Sequence, residues 1–203
     1  VEAIHESNSI ALITHINPDG DAVGSLIALM LALDKMEKSV YGYCQDDVPK
    51  SLCFLDGADR ISKPTDPVER YDLAVALDCS DRERMGDCAS IMDMAIRSAN
   101  IDHHRSNTYY ADINIVHEDA SATGEMIYEL IQQLEDTGDK NIAEALYTAI
   151  VTDTGGFSFS NTTARTHRVI ANLIEWGAEV TELSTRLFRN HSPEWIRLLG
   201  EAI

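Results

Sequence analysis

The chain has 203 residues, 44% hydrophobic and 25% charged, which suits one large globular domain or one domain plus a piece of another. Its formal net charge of −18 repels nucleic-acid phosphates, arguing against long duplex nucleic acid as a ligand and leaving small phosphate esters bound through cations. No apolar run reaches bilayer length, no signal-peptide pattern is evident, and Cys44, Cys53, Cys79 and Cys88 lack CxxC spacing, so they read as reduced, partly buried thiols of a cytoplasmic protein without membrane contact.

Residues 10–15 read as a buried strand that Pro18-Asp19-Gly20 breaks. Asp21 is expected to cap a helix beginning at Ala22. That helix is apolar on most faces (Val23, Leu26, Ile27, Met30, Leu31), so it belongs against a sheet. Residues 40–43 form a second strand, and 47–66, with Pro49, Gly57 and Pro64, are loop with one short helix. The unbroken apolar run at 73–77 is the pattern of a strand covered on both faces. A polar stretch at 81–87 leads to a helix at 89–97, a short strand ending at Ile101 and an edge strand at 113–116. Helices follow at 122–134, 141–151 and 164–176, the last stopped by Gly177, and then at 182–189 and 194–203. Alternating strands and helices predict an α/β fold with a mainly parallel sheet flanked by helices. The chain starts at Val1 and stops within a patterned segment, so we expect the natural protein to be longer.

Four times an apolar element ends on Asp or His. His15-Ile16-Asn17-Pro18-Asp19-Gly20-Asp21 follows the first strand, and Asp78 closes the run at 73–77. Asp102-His103-His104 follows the strand ending at Ile101, and Asp153 ends a helical apolar run before Thr154-Gly155-Gly156-Phe157. Each alone is an ordinary turn or cap. Together they would meet where the carboxyl ends of strands in an open α/β sheet converge. Two imidazoles and four carboxylates make six ligands, enough to hold two ions about 3.5–4 Å apart if one carboxylate bridges. Carboxylates suit hard divalent cations, and added imidazole favours Mn²⁺ or another transition ion. Such a pair lowers the pKa of a bridging water toward about 7 and takes up charge developing on phosphorus-bound oxygen. That chemistry is metal-activated hydroxide attack on a phosphate ester. Competing motifs are absent: Ser25 has no G-x-S-x-G surround, Gly155-Gly156 has no phosphate-loop Lys, and Cys79 has no base placed beside it.

These segments resemble the DHH family of phosphoesterases over about residues 8–180. His15 to Ser25 is similar to the first family motif, Asp78 in Ala76-Leu77-Asp78-Cys79-Ser80-Asp81 to the second, Asp102-His103-His104 to the third, and Asp153 in Thr152-Asp153-Thr154-Gly155-Gly156-Phe157 to the fourth. The resemblance implies that His15, Asp19 and Asp78 hold one Mn²⁺, and that Asp21, Asp78, His103 and Asp153 hold a second, with Mg²⁺ or Co²⁺ as substitutes. His104 would contact the scissile phosphate or assist the leaving oxygen, and Asp102 would orient a neighbouring imidazole. The long first motif looks most like the nanoRNase and pAp-phosphatase branch, which takes short oligonucleotides or nucleotides. On that footing residues 1–180 are the catalytic domain, 181–203 are a helical linker toward a DHHA1-type domain absent from this chain, and a homodimer is expected. Rival readings within the family are cyclic-dinucleotide phosphodiesterase, single-strand exonuclease, pyrophosphatase and polyphosphatase; outside enzymes, a nucleotide-sensing module.

Overall fold

The computed structural model describes residues 1–64, 70–134, 138–190 and 193–202. Six short strands pair side by side, all parallel: β1 (Ser9–Ile13), β2 (Ser39–Tyr43), β3 (Ile61–Ser62), β4 (Leu73–Leu77), β5 (Arg97–Asp102) and β6 (Ile113–Val116). Their spatial order is β3-β2-β1-β4-β5-β6. From β1 the chain moves outward through β2 and β3, then returns to β4 and moves outward the other way. The direction therefore reverses between β1 and β4, and the crevice at their carboxyl ends is where such sheets take ligands.

Helices α1 (Glu2–His5), α2 (Gly20–Lys35), α3 (Ala89–Met94), α4 (Thr123–Gln133), α5 (Lys140–Asp153), α6 (Ala164–Glu175), α7 (Val180–Phe188) and α8 (Pro193–Ala202) accompany this sheet. Alternate residues of β1 and β4 point to opposite faces, as the two-residue period of a strand requires. Ile10, Leu12, Leu73, Val75 and Leu77 join a core built with α2, α4 and α5, whereas Ala11, Ile13, Ala74 and Ala76 pack with Met85, Ile91 and Met92. Both faces of β4 are thus covered, and all five of its residues are buried. Each fully buried large side chain, such as Leu26 or Ile27, contributes roughly 1.5–3 kcal/mol. Among the described residues no helix is long and apolar enough to cross a membrane.

The most extensive helix contact in the core is α2 against α5, and small residues let the two approach. A Cβ on Gly24 would stand 2.4 Å from the Ala145 carbonyl oxygen, and one on Gly20 would meet Thr152 Oγ1 at 2.2 Å. Because the obstacle at Gly24 is backbone, Gly24→Ala should cost about 1–3 kcal/mol by overpacking, even though alanine favours helix. A fall in the urea midpoint at constant slope is the expected result, and an unchanged midpoint would show that the two helices separate without strain.

Several boundaries differ from the sequence reading. Helix α2 begins at Gly20 rather than Ala22, because Asp19, not Asp21, is its N-cap: Asp19 Oδ1 accepts from the amides of Asp21 and Ala22, both at 3.0 Å. The helix expected at 89–97 ends at Met94, since Ala95 is extended and the amides of Ile96 and Arg97 bond to Tyr71 and Asp72 carbonyls, drawing Arg97 into β5. The loop expected at 47–66 contains a 3-10 turn at Ala58–Arg60 and also the two-residue strand β3, too short to leave a period in the sequence. Asp66 and Ile203, parts of two sequence-derived ranges, lie outside the described residues. Helix α5 runs to Asp153, so that carboxylate sits in the last helical turn. Gly177 stops α6 as expected, with φ +108° just past the Trp176 cap.

Candidate metal centre

Three strands and two helices deliver the site. His15 follows β1, Asp78 follows β4, and Asp102 ends β5, so the switch point and its neighbour carry three of the residues. Asp19 and Asp21 arrive on the N-terminus of α2, and Asp153 on the C-terminus of α5, drawn beside α2 by the small-residue contact. Asp78 turns out of β4 with φ +60°, a left-handed conformation that aspartate tolerates better than most residues. Its amide bonds to the Ile101 carbonyl at 3.0 Å, and Asn100 Nδ2 donates to the carbonyls of Ala76 (3.2 Å) and Cys79 (3.1 Å), so the turn is held from both sides.

All eight residues named from the sequence come together. His15 Nε2 lies 3.8 Å from Asp19 Oδ1 and 3.4 Å from Asp78 Oδ2, while its Nδ1 is engaged by the Ile16 carbonyl at 2.8 Å. His103 Nε2 lies 3.8 Å from Asp21 Oδ2, 3.7 Å from Asp78 Oδ1 and 3.7 Å from Asp153 Oδ2. Its Nδ1 is 3.2 Å from the Ala120 carbonyl, which fixes the ring. His104 Nδ1 bonds to Asp102 Oδ1 at 2.7 Å and lies 3.6 Å from Asp78 Oδ1. Three donor groups result: His15-Asp19-Asp78, Asp78-His103-His104 and Asp21-His103-Asp153. Asp78 belongs to the first two, and His103 links the last two.

The electrostatics are those of a cluster that calls for positive charge. Burial, together with the carboxylates of Asp78 and Asp153, pushes Asp21 well above the usual carboxylate range. Burial likewise raises Asp153, with Asp78 and Asp19 adding to it and His103 opposing. Burial works against charge on His15, yet the facing carboxylates of Asp19 and Asp78 carry it up to about 10. Hydrogen bonding to Asp102 raises His104 against the effect of its partial burial. Burial would raise Asp102 too, but bonds from His104 and Asn107 hold it below its ordinary value. His103 Nε2 is buried and without a hydrogen-bond partner although three carboxylate oxygens surround it. Those distances are too long for hydrogen bonds and leave space for a cation coordinated from every side. The donor set fits a divalent transition ion.

Several supporting residues carry no sequence signal strong enough to find them. Thr123 and Gly124 open α4, and their amides donate to Asp21 Oδ2 (2.6 Å) and Oδ1 (2.9 Å), placing a carboxylate at a helix N-terminus where the dipole favours it. Ser25, dismissed above as a nucleophile, donates to Asp21 Oδ1 at 3.1 Å. Thr123 Oγ1 donates to Asp78 Oδ1 at 2.9 Å. Asn107 Nδ2 donates to Asp102 Oδ2 at 2.6 Å, and Asn161 Nδ2 reaches Asp153 Oδ2 at 3.3 Å and the Ser121 carbonyl at 2.9 Å. Cys79, adjacent to Asp78, is fully buried and its thiol is pushed well up by that burial, which suits packing and not nucleophilic attack.

An open parallel sheet carrying a shared carboxylate–imidazole cluster at its switch point defines an α/β domain with a candidate metal site. Residues 9–150 match the model of the DHH family, N-terminal domain, and the chain belongs to that family. It is 34% identical over 197 residues, 96% of this chain, to the bifunctional oligoribonuclease and PAP phosphatase NrnA of Thermus thermophilus. To the protein of the same name from Bacillus subtilis it is 32% identical over 93% of this chain. The crystal structure of an exopolyphosphatase-related protein from Bacteroides fragilis superposes with a TM-score of 0.92 at 26% identity, covering 98% of this chain. The chain spans 58% and 59% of the two relatives and 62% of the Bacteroides chain.

Proposed function

We propose that this chain is the catalytic part of a manganese-dependent phosphohydrolase that releases mononucleotides from short oligonucleotides and dephosphorylates 3′-phosphoadenosine 5′-phosphate. The observation that carries this reading is the sharing of Asp78 between two donor groups, which is what a paired-ion site requires. The names of the NrnA relatives support the substrate class, and the four free thiols support a cytoplasmic setting.

His15, Asp19 and Asp78 would hold one ion; Asp21, Asp78, His103 and Asp153 would hold the other. When bound, such ions supply Lewis acidity at a phosphoryl oxygen and make water a competent nucleophile near neutral pH. The chain's own residues do the rest. Asp102 accepts from His104 Nδ1, which leaves Nε2 as the ring nitrogen for substrate. A proton held there passes to the leaving ribose oxygen as its bond to phosphorus breaks. Asn107 keeps Asp102 in place, and Thr123 and Asn161 aim Asp78 and Asp153.

With Mn²⁺, the full-length protein should release mononucleotide from a 5′-phosphorylated dinucleotide and phosphate from 3′-phosphoadenosine 5′-phosphate, and a chelator should stop both. Binding of two ions with release of neither product would leave a nucleotide-sensing module as the better reading. Thr123→Val keeps the shape and the backbone amide to Asp21 but removes the hydroxyl donor to Asp78. Manganese affinity should fall about 10- to 100-fold, measured by calorimetric titration; parent affinity would show that Thr123 does not orient the bridge.

A further inference from the structure

Tyr109 and Phe159 are each 59% exposed, the most exposed aromatic rings among the described residues. Both follow site residues closely in the chain: Tyr109 comes after His104, and Phe159 after Asp153. Short contacts hold both segments to the centre. The amide of Asn107 bonds to the His104 carbonyl at 3.1 Å and that of Thr108 to the Ser80 carbonyl at 2.9 Å. Tyr109 itself is fixed with φ +54°, its amide donating at 2.8 Å to Asn107 Oδ1, the same side chain that anchors Asp102. A bulky residue in that conformation carries strain that its surroundings must maintain, and it keeps an apolar ring in solvent. Phe159 lies over the backbone of Gly155, where an added Cβ would come within 2.5 Å of its ring; its amide bonds to the Thr154 carbonyl at 3.0 Å.

Several of the chain's arginines are already engaged by carboxylates. Arg82 is paired with Asp93 at 2.7 Å, Arg105 faces Glu118 at 3.7 Å, and Arg165 is paired with Glu129 at 2.6 Å. With a net charge of −18, the chain offers a nucleotide little long-range attraction, so contacts to its uncharged parts gain weight. Exposed rings provide such contacts, because every base presents a π face to stack on. We propose that Tyr109 and Phe159 are stacking platforms for the nucleobases beside the scissile phosphate, so that recognition on this chain is of base faces and tolerant of sequence. This rests on the phosphohydrolase reading above.

The test is equilibrium binding, in the full-length protein with Mn²⁺, of a dinucleotide whose leaving oxygen is replaced by methylene, against the same molecule lacking both bases. The parent should bind the base-bearing ligand more tightly, by about 5- to 150-fold per stacked base. Tyr109→Gly removes the ring while freely adopting φ +54°, so a folding defect does not confound it. It should shrink the gap by that factor, as should Phe159→Ala, whereas Tyr109→Phe and the control Phe188→Ala should preserve it. A parent that binds both ligands equally, or a Tyr109→Gly protein that weakens both alike or neither, overturns the proposal. Turnover of the unmodified dinucleotide is scored separately, so absence of hydrolysis would count against the phosphohydrolase reading and leave the stacking measurement intact.

Discussion

Asp78→Asn should reduce the protein from two bound Mn²⁺ to at most one weakly held ion and lower turnover by at least about a thousandfold. Asparagine keeps nearly the shape of aspartate and its tolerance for the left-handed backbone at φ +60°, whereas alanine there would add a conformational cost of about 1–2 kcal/mol. The asparagine variant therefore isolates the charge. Asp78 Oδ2 is the oxygen facing His15, and Oδ1 is the one facing His103, His104 and the Thr123 hydroxyl. A neutral carboxamide has only one oxygen to offer and no negative charge to share between two cations. Loss of several kcal/mol of charge stabilisation corresponds to about three powers of ten in rate at 1.36 kcal/mol each. Calorimetric titration gives the stoichiometry and product release gives the rate. Two ions at parent affinity, or a rate above a tenth of the parent's, would mean that Asp78 is not the bridge.

Much of this arrangement is legible in the sequence because the chemistry sits where regular elements stop. A five-residue apolar run ending in aspartate, as at Asp78, announces both a doubly covered strand and a polar group at its carboxyl end. At Asp102 the signal is weaker, because only Ala99 and Ile101 of β5 are apolar. What escapes is anything decided by a contact distant in the chain. Thr123 and Gly124 look like an ordinary helix start, yet their amides meet Asp21 across 102 and 103 residues. Asn161 looks like a loop residue until the fold sets it against Asp153 and Ser121. The exchange of roles between Asp19 and Asp21 has the same origin. Either carboxylate could cap α2 by local rules, and it is α4 that claims Asp21 and leaves Asp19 as the cap. Arg97 shows the limit for short elements, where β-sheet hydrogen bonds to Asp72 override a continuous helical pattern.

His104→Ala is the complementary experiment, because it should separate proton transfer from ion binding. The ring is 43% exposed, and its Nδ1 is occupied by Asp102, so removing it breaks only the Asp78-His103-His104 group and leaves His15-Asp19-Asp78 and Asp21-His103-Asp153 intact. Two Mn²⁺ should still bind. The expected loss is in kcat, about 10²- to 10⁴-fold, the range for a positioned general acid. Substrate choice then distinguishes this role from a structural one. An alkoxide leaving from ribose needs a proton, whereas a p-nitrophenolate leaving from a nucleotide ester does not, so the latter should lose at most a few-fold. Asp102→Asn should show a weaker form of the same pattern, a loss of about 10- to 100-fold, since the imidazole remains but its partner no longer favours the protonated ring. Equal losses on both esters, or loss of an ion with His104, would place His104 among the metal ligands and leave the leaving oxygen without its acid.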